Sequence, residues 1–312
     1  MADSDVPPFG RLLTAMVTPF AADGSLDLDA AAALAASLVD EHAHDGLVVN
    51  GTGGEAPTTT DAEKADLVRA VVDAVGDRAR VLAGVGTNDT AHTLELSAAA
   101  EKAGAHGLLA VTPYYSKPPQ AGLVEHFRTL ADATGLEVML YDIPHRSGTA
   151  IATDTLLRLA EHPRIVAVKD AKSDLAASAR VMGSSDLAYY SGEDALTLPL
   201  LSIGAVGVVG TSTHFCGPQT HALIDAALGG DPAQALRLHR QLLPIFTGIF
   251  ATQGCILVKA GLELQGRGVG GVRLPMVPAT PEQRTVLAAA LAAAGLASTP
   301  ANLPAAGSPA TS

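Results

Sequence analysis

A lysine that ends a short apolar segment is the residue best placed for chemistry in this sequence. The segment 164–170 is rich in β-branched residues and has the length of a strand buried on both faces of a parallel sheet. Burial disfavours the ammonium form of Lys169, and a neutral amine can form a Schiff base with a carbonyl substrate. The structural alternative is an ion pair with Asp170 at the strand end. The segment alone predicts either a nucleophile or a structural ion pair.

Residues of complementary chemistry follow other apolar segments of the same kind. The turn 50–55 is rich in glycine, so its backbone N–H groups can converge on an anion such as a carboxylate. Tyr115 and Tyr141 are phenols suited to proton transfer, and Arg146 offers a planar fork that matches a carboxylate. A nucleophile, proton-transfer groups and anion-binding groups at one end of one fold constitute an active site.

The spacing of these segments predicts the fold that brings the residues together. Eight strand-like segments alternate with alanine-rich helical segments, and the predicted strands are 12–17, 47–50, 80–83, 107–111, 138–142, 165–169, 187–190 and 206–209. This alternation predicts an α/β fold, the (β/α)8 TIM barrel, whose chemistry gathers at the carboxyl ends of the strands. A doubly wound open sheet is disfavoured because no GxGxxG follows the first strand.

Three further regions flank the predicted barrel, which occupies residues 11–228. Residues 1–10 form a predicted N-terminal extension, and residues 229–295 form an appended helical segment. The final stretch, 296–312, is rich in Pro, Ala and Ser, and we expect it to be disordered. Because helices added outside a barrel commonly build subunit contacts, we expect a homo-oligomer.

Composition limits the partners and the compartment. The net charge of −12 argues against nucleic-acid binding, which needs clustered Lys and Arg. The longest apolar stretch, 198–210, is interrupted and falls short of the ~18 residues of a membrane helix, and the acidic start of the chain lacks the features of a secretory signal. We therefore expect a cytoplasmic protein with neither nucleic-acid nor membrane partners.

Cysteine and lysine usage narrows the candidate chemistry. Cys216 and Cys255 lie in apolar surroundings without zinc-type spacing, so we expect reduced, buried thiols and no metal. The other five lysines fit solvated helix or loop positions, and Lys259, on an amphipathic helix, is expected to reach water with its ammonium group. Lys169 remains as the candidate nucleophile.

Two other classes of protein fit parts of the pattern. The glycines around Val208 could form the phosphate cradle found late in many barrels, which would suit a phosphosugar isomerase. Such an isomerase would need a catalytic glutamate at a strand end and would not need Lys169. A catalytically silent binding protein is disfavoured because Lys169 and the proton-transfer residues are all present.

Several motifs together resemble the dihydrodipicolinate synthase family, the pyruvate-dependent class I aldolases that also include N-acetylneuraminate lyase. The resemblance covers roughly residues 10–295 and rests on LTAMVTPF (13–20), GTGGE (51–55), TPYY (112–115), LYDIP (140–144), VKD (168–170) and SGED (191–194). Within the family, YYSKPPQ (114–120) and RSG (146–148) resemble the branch that serves lysine and diaminopimelate biosynthesis.

The resemblance implies an enzyme that condenses pyruvate with L-aspartate 4-semialdehyde, without a metal or an organic cofactor. Lys169 would form the imine with pyruvate, and Tyr141, Thr52 and Tyr115 would relay protons. In the family, the tyrosine that matches Tyr115 enters the site from a neighbouring subunit. The resemblance therefore implies that activity depends on a dimer or a tetramer.

The family also implies how the two substrates are held. The N–H groups of Thr52 and Gly53 would bind the pyruvate carboxylate, and Arg146 would bind the carboxylate of the aldehyde. Gly192 and Val209 would line the pocket.

Two positions depart from the family pattern. The turn usually carries two adjacent threonines, and Gly53 in place of the second loses a hydroxyl, which predicts weaker orientation of pyruvate by one hydrogen bond of about 0.5–1.5 kcal/mol, or an altered substrate. His145 stands where a small residue is expected and can reshape the aldehyde pocket. These departures leave open a sibling aldolase that joins pyruvate to another aldehyde, such as a sugar acid.

The residues at the positions of the regulatory lysine site also depart from the family pattern. Family members inhibited by lysine carry polar residues near the subunit cleft, and the matching positions are Ala56, Asp61, Lys64, Asn88, His92 and Tyr114. Lys64 puts a positive charge where a cationic ligand would bind, and His92 replaces a carboxylate. We therefore predict weak or absent inhibition by lysine.

Overall fold

Eight parallel strands close into a barrel in chain order in the computed structural model, which describes residues 7–296. The strands are β1 (Leu12–Ala15), β2 (Gly46–Val49), β3 (Arg80–Gly84), β4 (Gly107–Val111), β5 (Glu137–Asp142), β6 (Ile165–Asp170), β7 (Ala188–Ser191) and β8 (Gly207–Gly210). β1 pairs with both β2 and β8, which closes the ring. The predicted TIM barrel is confirmed.

The helices that follow the strands cover the outside of the barrel. They are α1 (Leu28–Asp40), α2 (Asp61–Val75), α3 (Thr90–Lys102), α4 (Gln120–Asp132), α5 (Pro144–Ser147), α6 (Thr153–Ala160), α7 (Leu175–Met182), α8 (Thr197–Leu201) and α9 (Thr213–Leu228). α2 begins with a capping box, in which the Thr60 side chain accepts from the Glu63 N–H and the Glu63 side chain accepts from the Thr60 N–H. The short helix α5 was not predicted, and it lies in the loop that carries Arg146.

Alternate residues of each strand face the barrel interior and the helix layer, because successive side chains of a strand point to opposite faces. The inner layer is apolar and consists mainly of Phe9, Leu13, Val48, Leu82, Leu109, Met139, Ala167, Tyr190 and Val209. Tyr141 pairs in register with Lys169, and Lys169 pairs with Tyr190. The register therefore places the phenol of Tyr141 and the amine of Lys169 side by side on the inner face.

Three helices follow the barrel: α10 (Pro232–Gly248), α11 (Gly254–Leu264) and α12 (Pro281–Ala293). α10 packs against α9 and α12, and α11 packs against α12. α11 is buried along nearly its whole length, so it is an interior helix and not a surface addition. Within residues 7–296, no helix combines the length and the apolar character that would let it cross a membrane.

Two predicted regions extend beyond the described residues. Residues 1–6 of the N-terminal extension and residues 297–312 of the tail lie there. The expected disorder of the tail therefore stays a prediction.

Phe9 closes the barrel at the amino-terminal ends of the strands, and its removal should destabilise the fold. Its side chain is almost fully buried in the inner layer, and the ring lies so near Gly107 that a Cβ there would be 2.6 Å from it. We expect Phe9→Ala to lower the free energy of unfolding in urea by about 3–5 kcal/mol, since it leaves a cavity that rigid strands cannot fill. Phe250→Ala is the matched control, because Phe250 is 42% exposed and buries less area. Equal losses for the two variants would contradict this account.

Candidate active site

The carboxyl ends of the strands open into a cavity of about 460 Å³. One wall comes from β5, β6 and the loops after β2 and β7, and the opposite wall comes from the connection between α10 and α11. The predicted site residues that line it are Thr52, Gly53, Tyr141, Arg146, Lys169 and Gly192. Val209 is fully buried in the inner layer and is not among the lining residues, and Tyr115 lies elsewhere.

Lys169 is deeply buried and has no counter-ion. It is 5% exposed, and its Nζ lies 4.3 Å from the centroid of the Tyr141 ring. Among the described residues, no carboxylate lies within ion-pair distance of this amine. Burial lowers the pKa of Lys169 to about 8, with Asp194 opposing the change and Arg146 reinforcing it. Compared with an ordinary lysine, the neutral form at pH 7 is enriched on the order of 10²-fold.

The alternative ion pair between Lys169 and Asp170 is wrong. Consecutive residues of β6 point to opposite faces, so the Asp170 carboxylate lies in the helix layer. There it accepts hydrogen bonds from the Ser178 hydroxyl and, at 3.0 Å, from the Lys172 N–H. Lys169 lies on the opposite, inner face, where it lines the cavity.

Tyr141 is a protonated phenol beside the amine. Burial raises its pKa above the usual range, while Arg146 and a side-chain hydrogen bond with Thr52 oppose the rise. The hydroxyl therefore remains a donor at neutral pH and can pass a proton to or from a group on Lys169. Thr52 is exposed at the mouth of the cavity, so its hydroxyl can pass protons between Tyr141 and solvent.

The turn 51–55 presents two free N–H groups to the cavity. Gly54 donates to the Gly51 carbonyl at 3.1 Å, and Glu55 donates to the Thr52 carbonyl at 3.2 Å, which closes the turn. Within the part of the chain that the structure describes, the N–H groups of Thr52 and Gly53 have no acceptor. A Cβ at Gly53 would lie 2.9 Å from the Ala15 carbonyl oxygen, so the turn runs very close to β1. Two adjacent free donors form a site for a small carboxylate.

Gly192 makes room for the nucleophile. A Cβ at this position would lie 3.1 Å from Lys169 Cγ and 3.0 Å from the Ala171 Cβ. A side chain there would push the lysine stem out of its position, so the strand end requires a glycine.

The N–H groups at the end of β8 are not available to a phosphate. The buried carboxylate of Asp194 accepts from the Thr211 and Ser212 N–H groups at 3.1 Å each, and from the Ser212 hydroxyl at 2.7 Å. Burial raises the pKa of Asp194, and these hydrogen bonds oppose the rise. The glycine-rich cradle that would suit a phosphosugar isomerase is therefore filled by a side chain of the protein itself.

Cys216 and Cys255 are both buried and unbonded, and Cys255 lines the cavity. Burial raises the pKa of each thiol, so neither is an activated nucleophile. Across residues 7–296, no group of three or more His, Cys, Asp or Glu is arranged to hold a metal ion.

Comparison with known proteins identifies the family. A model of the Dihydrodipicolinate synthetase family matches residues 8–294. The chain belongs to the dihydrodipicolinate synthetase family. The 4-hydroxy-tetrahydrodipicolinate synthase of Acidothermus cellulolyticus is 69% identical over 288 residues, 92% of this chain and 93% of that protein. The protein of Streptomyces coelicolor named 4-hydroxy-tetrahydrodipicolinate synthase 2 is 61% identical over 298 residues, 95% and 99% of the two chains.

A solved structure of the dihydrodipicolinate synthetase family has the same fold. The crystal structure of DHDPS from Cyanidioschyzon merolae with lysine bound aligns with a TM-score of 0.91 at 42% sequence identity. The alignment covers 93% of this chain and 99% of that one. The predicted resemblance to the dihydrodipicolinate synthase family is confirmed, and it extends across the barrel and the appended helices.

Tyr115 points away from the cavity in this chain. Its side chain is 88% exposed, its backbone is left-handed with φ +73°, and its N–H donates to the Ser147 carbonyl at 3.2 Å. It lines a neighbouring groove of about 830 Å³, which Thr52 and Tyr141 also border. The groove contains the positions that match the lysine site of the family, namely Ala56, Asp61, Lys64, Asn88, His92 and Tyr114. There Asp61 is paired with His92 at 2.9 Å, and Lys64 lies 3.9 Å from it.

Two lysines predicted at solvated positions are buried instead. Lys259 is 4% exposed and its Nζ donates to Glu55 Oε1 at 2.7 Å. The side chain of Lys172 is 7% exposed, and its Nζ lies 3.5 Å from an Asp142 carboxylate oxygen. Both expectations were wrong because the counter-ions come from other elements of the barrel, which lets the ammonium groups leave water.

Gln253 is a site residue that the sequence did not reveal. Its side-chain oxygen accepts a hydrogen bond of 2.8 Å from Arg146 Nη1, across the mouth of the cavity. The two residues are 107 positions apart, and no local pattern marks Gln253. This hydrogen bond holds the Arg146 guanidinium at the start of α11. The same guanidinium is expected to bind the aldehyde.

The reactivity of Lys169 should follow its lowered pKa. Because only the neutral amine attacks a ketone, the rate of pyruvate adduct formation should rise about tenfold per pH unit below pH 8 and level off above it. The measurement is the initial rate of the adduct trapped by cyanoborohydride at limiting pyruvate, with Lys169→Ala as the blank. A rate that climbs steadily to pH 10 would indicate an ordinary lysine and contradict the effect of burial.

Gln253 should support the second substrate and not the first. In Gln253→Ala the Arg146 fork loses its tether, so kcat/KM for the aldehyde should fall about tenfold while adduct formation with pyruvate stays unchanged. Gln265→Ala is the matched control, because Gln265 lies at the other end of α11, where its side chain donates to the Leu296 carbonyl and accepts from Arg267. Equal kcat/KM values for the aldehyde in the two variants would show that the tether is dispensable.

Proposed function

We propose that this chain is a 4-hydroxy-tetrahydrodipicolinate synthase, a lyase that condenses pyruvate with L-aspartate 4-semialdehyde in lysine and diaminopimelate biosynthesis. The observation that carries the proposal is the buried amine of Lys169, which has no counter-ion and lies against the Tyr141 phenol. The names of its relatives in the dihydrodipicolinate synthetase family support the same activity. We also propose that its substrates are small molecules and that it acts in the cytoplasm.

The first half of the reaction uses the inner wall of the cavity. The neutral amine of Lys169 attacks the ketone carbon of pyruvate, and loss of water leaves a protonated imine. The N–H groups of Thr52 and Gly53 hold the pyruvate carboxylate, which fixes the methyl group toward the open side of the cavity. Removal of a methyl proton then gives the enamine, with the imine nitrogen as the electron sink. No metal or organic cofactor enters these steps.

Tyr141 supplies and accepts the protons of these steps. Its phenol is protonated and lies beside Lys169, so it can give a proton to the departing hydroxide and take one back in a later step. Thr52 extends the path from Tyr141 toward the neighbouring groove, which Tyr115 borders. A relay of positioned acid and base groups contributes about 10²–10⁴-fold to the rate.

The second half of the reaction uses the outer wall. The enamine carbon attacks the aldehyde carbon, the aldehyde oxygen takes a proton from the relay, and the protonated imine forms again on Lys169. The amino group of the aldehyde substrate then attacks the imine carbon and displaces the Lys169 amine, which closes the ring and frees the enzyme. Arg146, oriented by Gln253, binds the carboxylate of the aldehyde. A guanidinium matches a carboxylate and not a chain of hydroxyls, so Arg146 favours a short acidic aldehyde over a polyol. His145 also lines the cavity, and with Gly53 it supports the alternative of another aldehyde, such as a sugar acid.

Tyr115 supports a homo-oligomer, a dimer or a tetramer. A left-handed backbone at a residue other than glycine costs about 1–3 kcal/mol, and such strain persists where a functional arrangement requires it. Here it presents an exposed phenol beside the groove that leads to Thr52. In the proposed assembly this phenol completes the proton relay of a neighbouring subunit.

Weak or absent feedback by lysine remains our prediction. A bound lysine would bring additional positive charge into a groove that Lys64 and Lys117 already line. The nearest carboxylate, Asp61, is already engaged by His92. Both features reduce the affinity of the groove for a cation.

The proposed reaction is tested by trapping and by a panel of aldehydes. Incubation with pyruvate and borohydride should add a pyruvate-derived mass to Lys169, and Lys169→Ala should gain none. Lys102→Ala, which removes a lysine in the last turn of α3, is the control that should still react. Among aldehydes, L-aspartate 4-semialdehyde should give the highest kcat/KM, by at least about tenfold over sugar aldehydes. The absence of an adduct in folded protein would sink the proposal, and a preference for a sugar aldehyde would establish the alternative.

The role of Tyr115 in a neighbouring subunit predicts complementation between two impaired variants. Lys169→Ala should be inactive, and Tyr115→Phe should lose about 10²-fold in kcat. When the two are mixed and allowed to exchange subunits, about a quarter of wild-type activity should return, since half of the sites in mixed pairs combine an intact lysine with an intact tyrosine. No recovery after verified exchange would place Tyr115 in its own subunit's site or outside any site.

A further inference from the structure

Lys259 is a second deeply buried lysine, and its surroundings are the opposite of those of Lys169. Its Nζ donates to Glu55 Oε1 at 2.7 Å and to the Gly271 carbonyl at 2.6 Å, and it lies 4.2 Å from the centroid of the Phe20 ring. Lys259 lines neither the cavity nor the neighbouring groove. Two of its three donors are paired and it does not border either opening, so we assign it a structural role and not that of a second nucleophile.

Glu55 connects this cation to the anion-binding turn. It is the last residue of the turn 51–55, its side chain is buried, and its backbone is left-handed with φ +55°. Oε1 accepts from Lys259, and Oε2 accepts from the backbone N–H of Arg273 at 2.9 Å. The Glu55 N–H in turn donates to the Thr52 carbonyl at 3.2 Å. A strained residue whose side chain is held at both oxygens transmits its position directly to Thr52.

The segment after α11 holds the same turn from a second side. The Arg273 guanidinium donates to both carboxylate oxygens of Glu63 at 2.6 and 3.0 Å, and to the Thr58 carbonyl at 2.9 Å. Its Nε donates to the Gly24 carbonyl at 2.9 Å, and the guanidinium lies 4.1 Å from the Phe20 ring centroid. The residues after the turn, the start of α2 and the loop after β1 are thus bound to one short stretch of the C-terminal region.

We propose that Glu55 and Lys259 are positioning residues for the reaction: they hold the turn 51–55 so that its two free N–H groups face the substrate carboxylate. Neither residue touches the substrate, and both act through Thr52 and Gly53. The inference rests on the proposed function, because it assigns the carboxylate of pyruvate to this turn. It also gives the appended helical segment a part in the chemistry, in addition to the subunit contacts expected of it.

The inference predicts a defect confined to the first substrate. In Lys259→Met the Glu55 carboxylate loses its cation and the turn relaxes, so kcat/KM for pyruvate should fall at least about tenfold. The kcat/KM for the aldehyde should change less than about threefold, because Arg146 is held separately by Gln253. Lys259→Arg, which keeps the charge, should recover most of the loss.

A double variant separates positioning from stability. Removal of one member of a buried ion pair destabilises a protein strongly, whereas removal of both charges costs much less. Glu55→Gln/Lys259→Met should therefore melt closer to the wild type than Lys259→Met does, yet its kcat/KM for pyruvate should stay low. Arg284→Met is the matched control, since it breaks the 2.7 Å ion pair with Glu263 in the same C-terminal region and leaves the turn untouched.

Each result of this experiment supports or contradicts the positioning role of Glu55 and Lys259. Folded Glu55→Gln/Lys259→Met protein with wild-type kcat/KM for pyruvate would overturn the positioning role, even if Lys259→Met failed to fold. An equal loss for both substrates would show general damage to the site and would also overturn it. Borohydride trapping on wild-type Lys169 keeps the two claims apart, because an adduct in the wild type upholds the reaction whatever the variants show.

Discussion

The cost of removing a lysine ammonium group from water is the constraint on which this structure depends. The protein buries two such groups to nearly the same extent, and it treats them in opposite ways. Lys259 receives the Glu55 carboxylate and a backbone carbonyl, so its charge is compensated. Lys169 receives no carboxylate, and Asp194, the buried carboxylate that acts on it electrostatically, is already hydrogen-bonded to the loop after β8. Burial therefore lowers the pKa of both lysines, but a paired carboxylate opposes the change at Lys259 and none is paired with Lys169.

The barrel register and the appended helices divide the work of building the site. The strands supply the nucleophile and the phenol, since Tyr141 and Lys169 are paired in register on the inner face. The C-terminal region supplies support, because Gln253 tethers Arg146 and Lys259 holds Glu55. A parallel barrel directs its strand ends to one mouth, but it leaves the loops there without partners. The region of α10–α12 provides those partners.

The sequence was sufficient to predict the fold and to single out Lys169 as the candidate nucleophile, because both have local signatures. Alternating apolar and helical segments predict the barrel, and a lysine at the end of a buried strand stands out at once. Strand alternation could also have excluded the ion pair with Asp170, since neighbours on a strand point to opposite faces. The environment of Lys259 could not be predicted in this way. Its counter-ion lies 204 residues away, and an amphipathic pattern does not say what another loop will place against it.

The alternative of a phosphate-binding site near β8 was wrong for a related reason. Glycines near a strand end show that N–H groups are accessible, but they do not show whether a side chain of the protein occupies them. Asp194 does so here, across a gap of 17 and 18 residues to Thr211 and Ser212. Tyr115 shows a limit of a different kind, since the role proposed for this exposed phenol depends on a second subunit, which one chain does not show.

The long separation between Glu55 and Lys259 also orders events during synthesis. A chain that has just left the ribosome with β1–β8 complete possesses Lys169, Tyr141 and the turn 51–55, but not the helix that holds the turn in place. The reactive amine and its anion-binding partner are thus brought into register only after nearly the whole polypeptide has emerged. On the proposed role of Lys259, pyruvate would therefore meet a fully supported anion-binding turn only on chains that extend beyond α11.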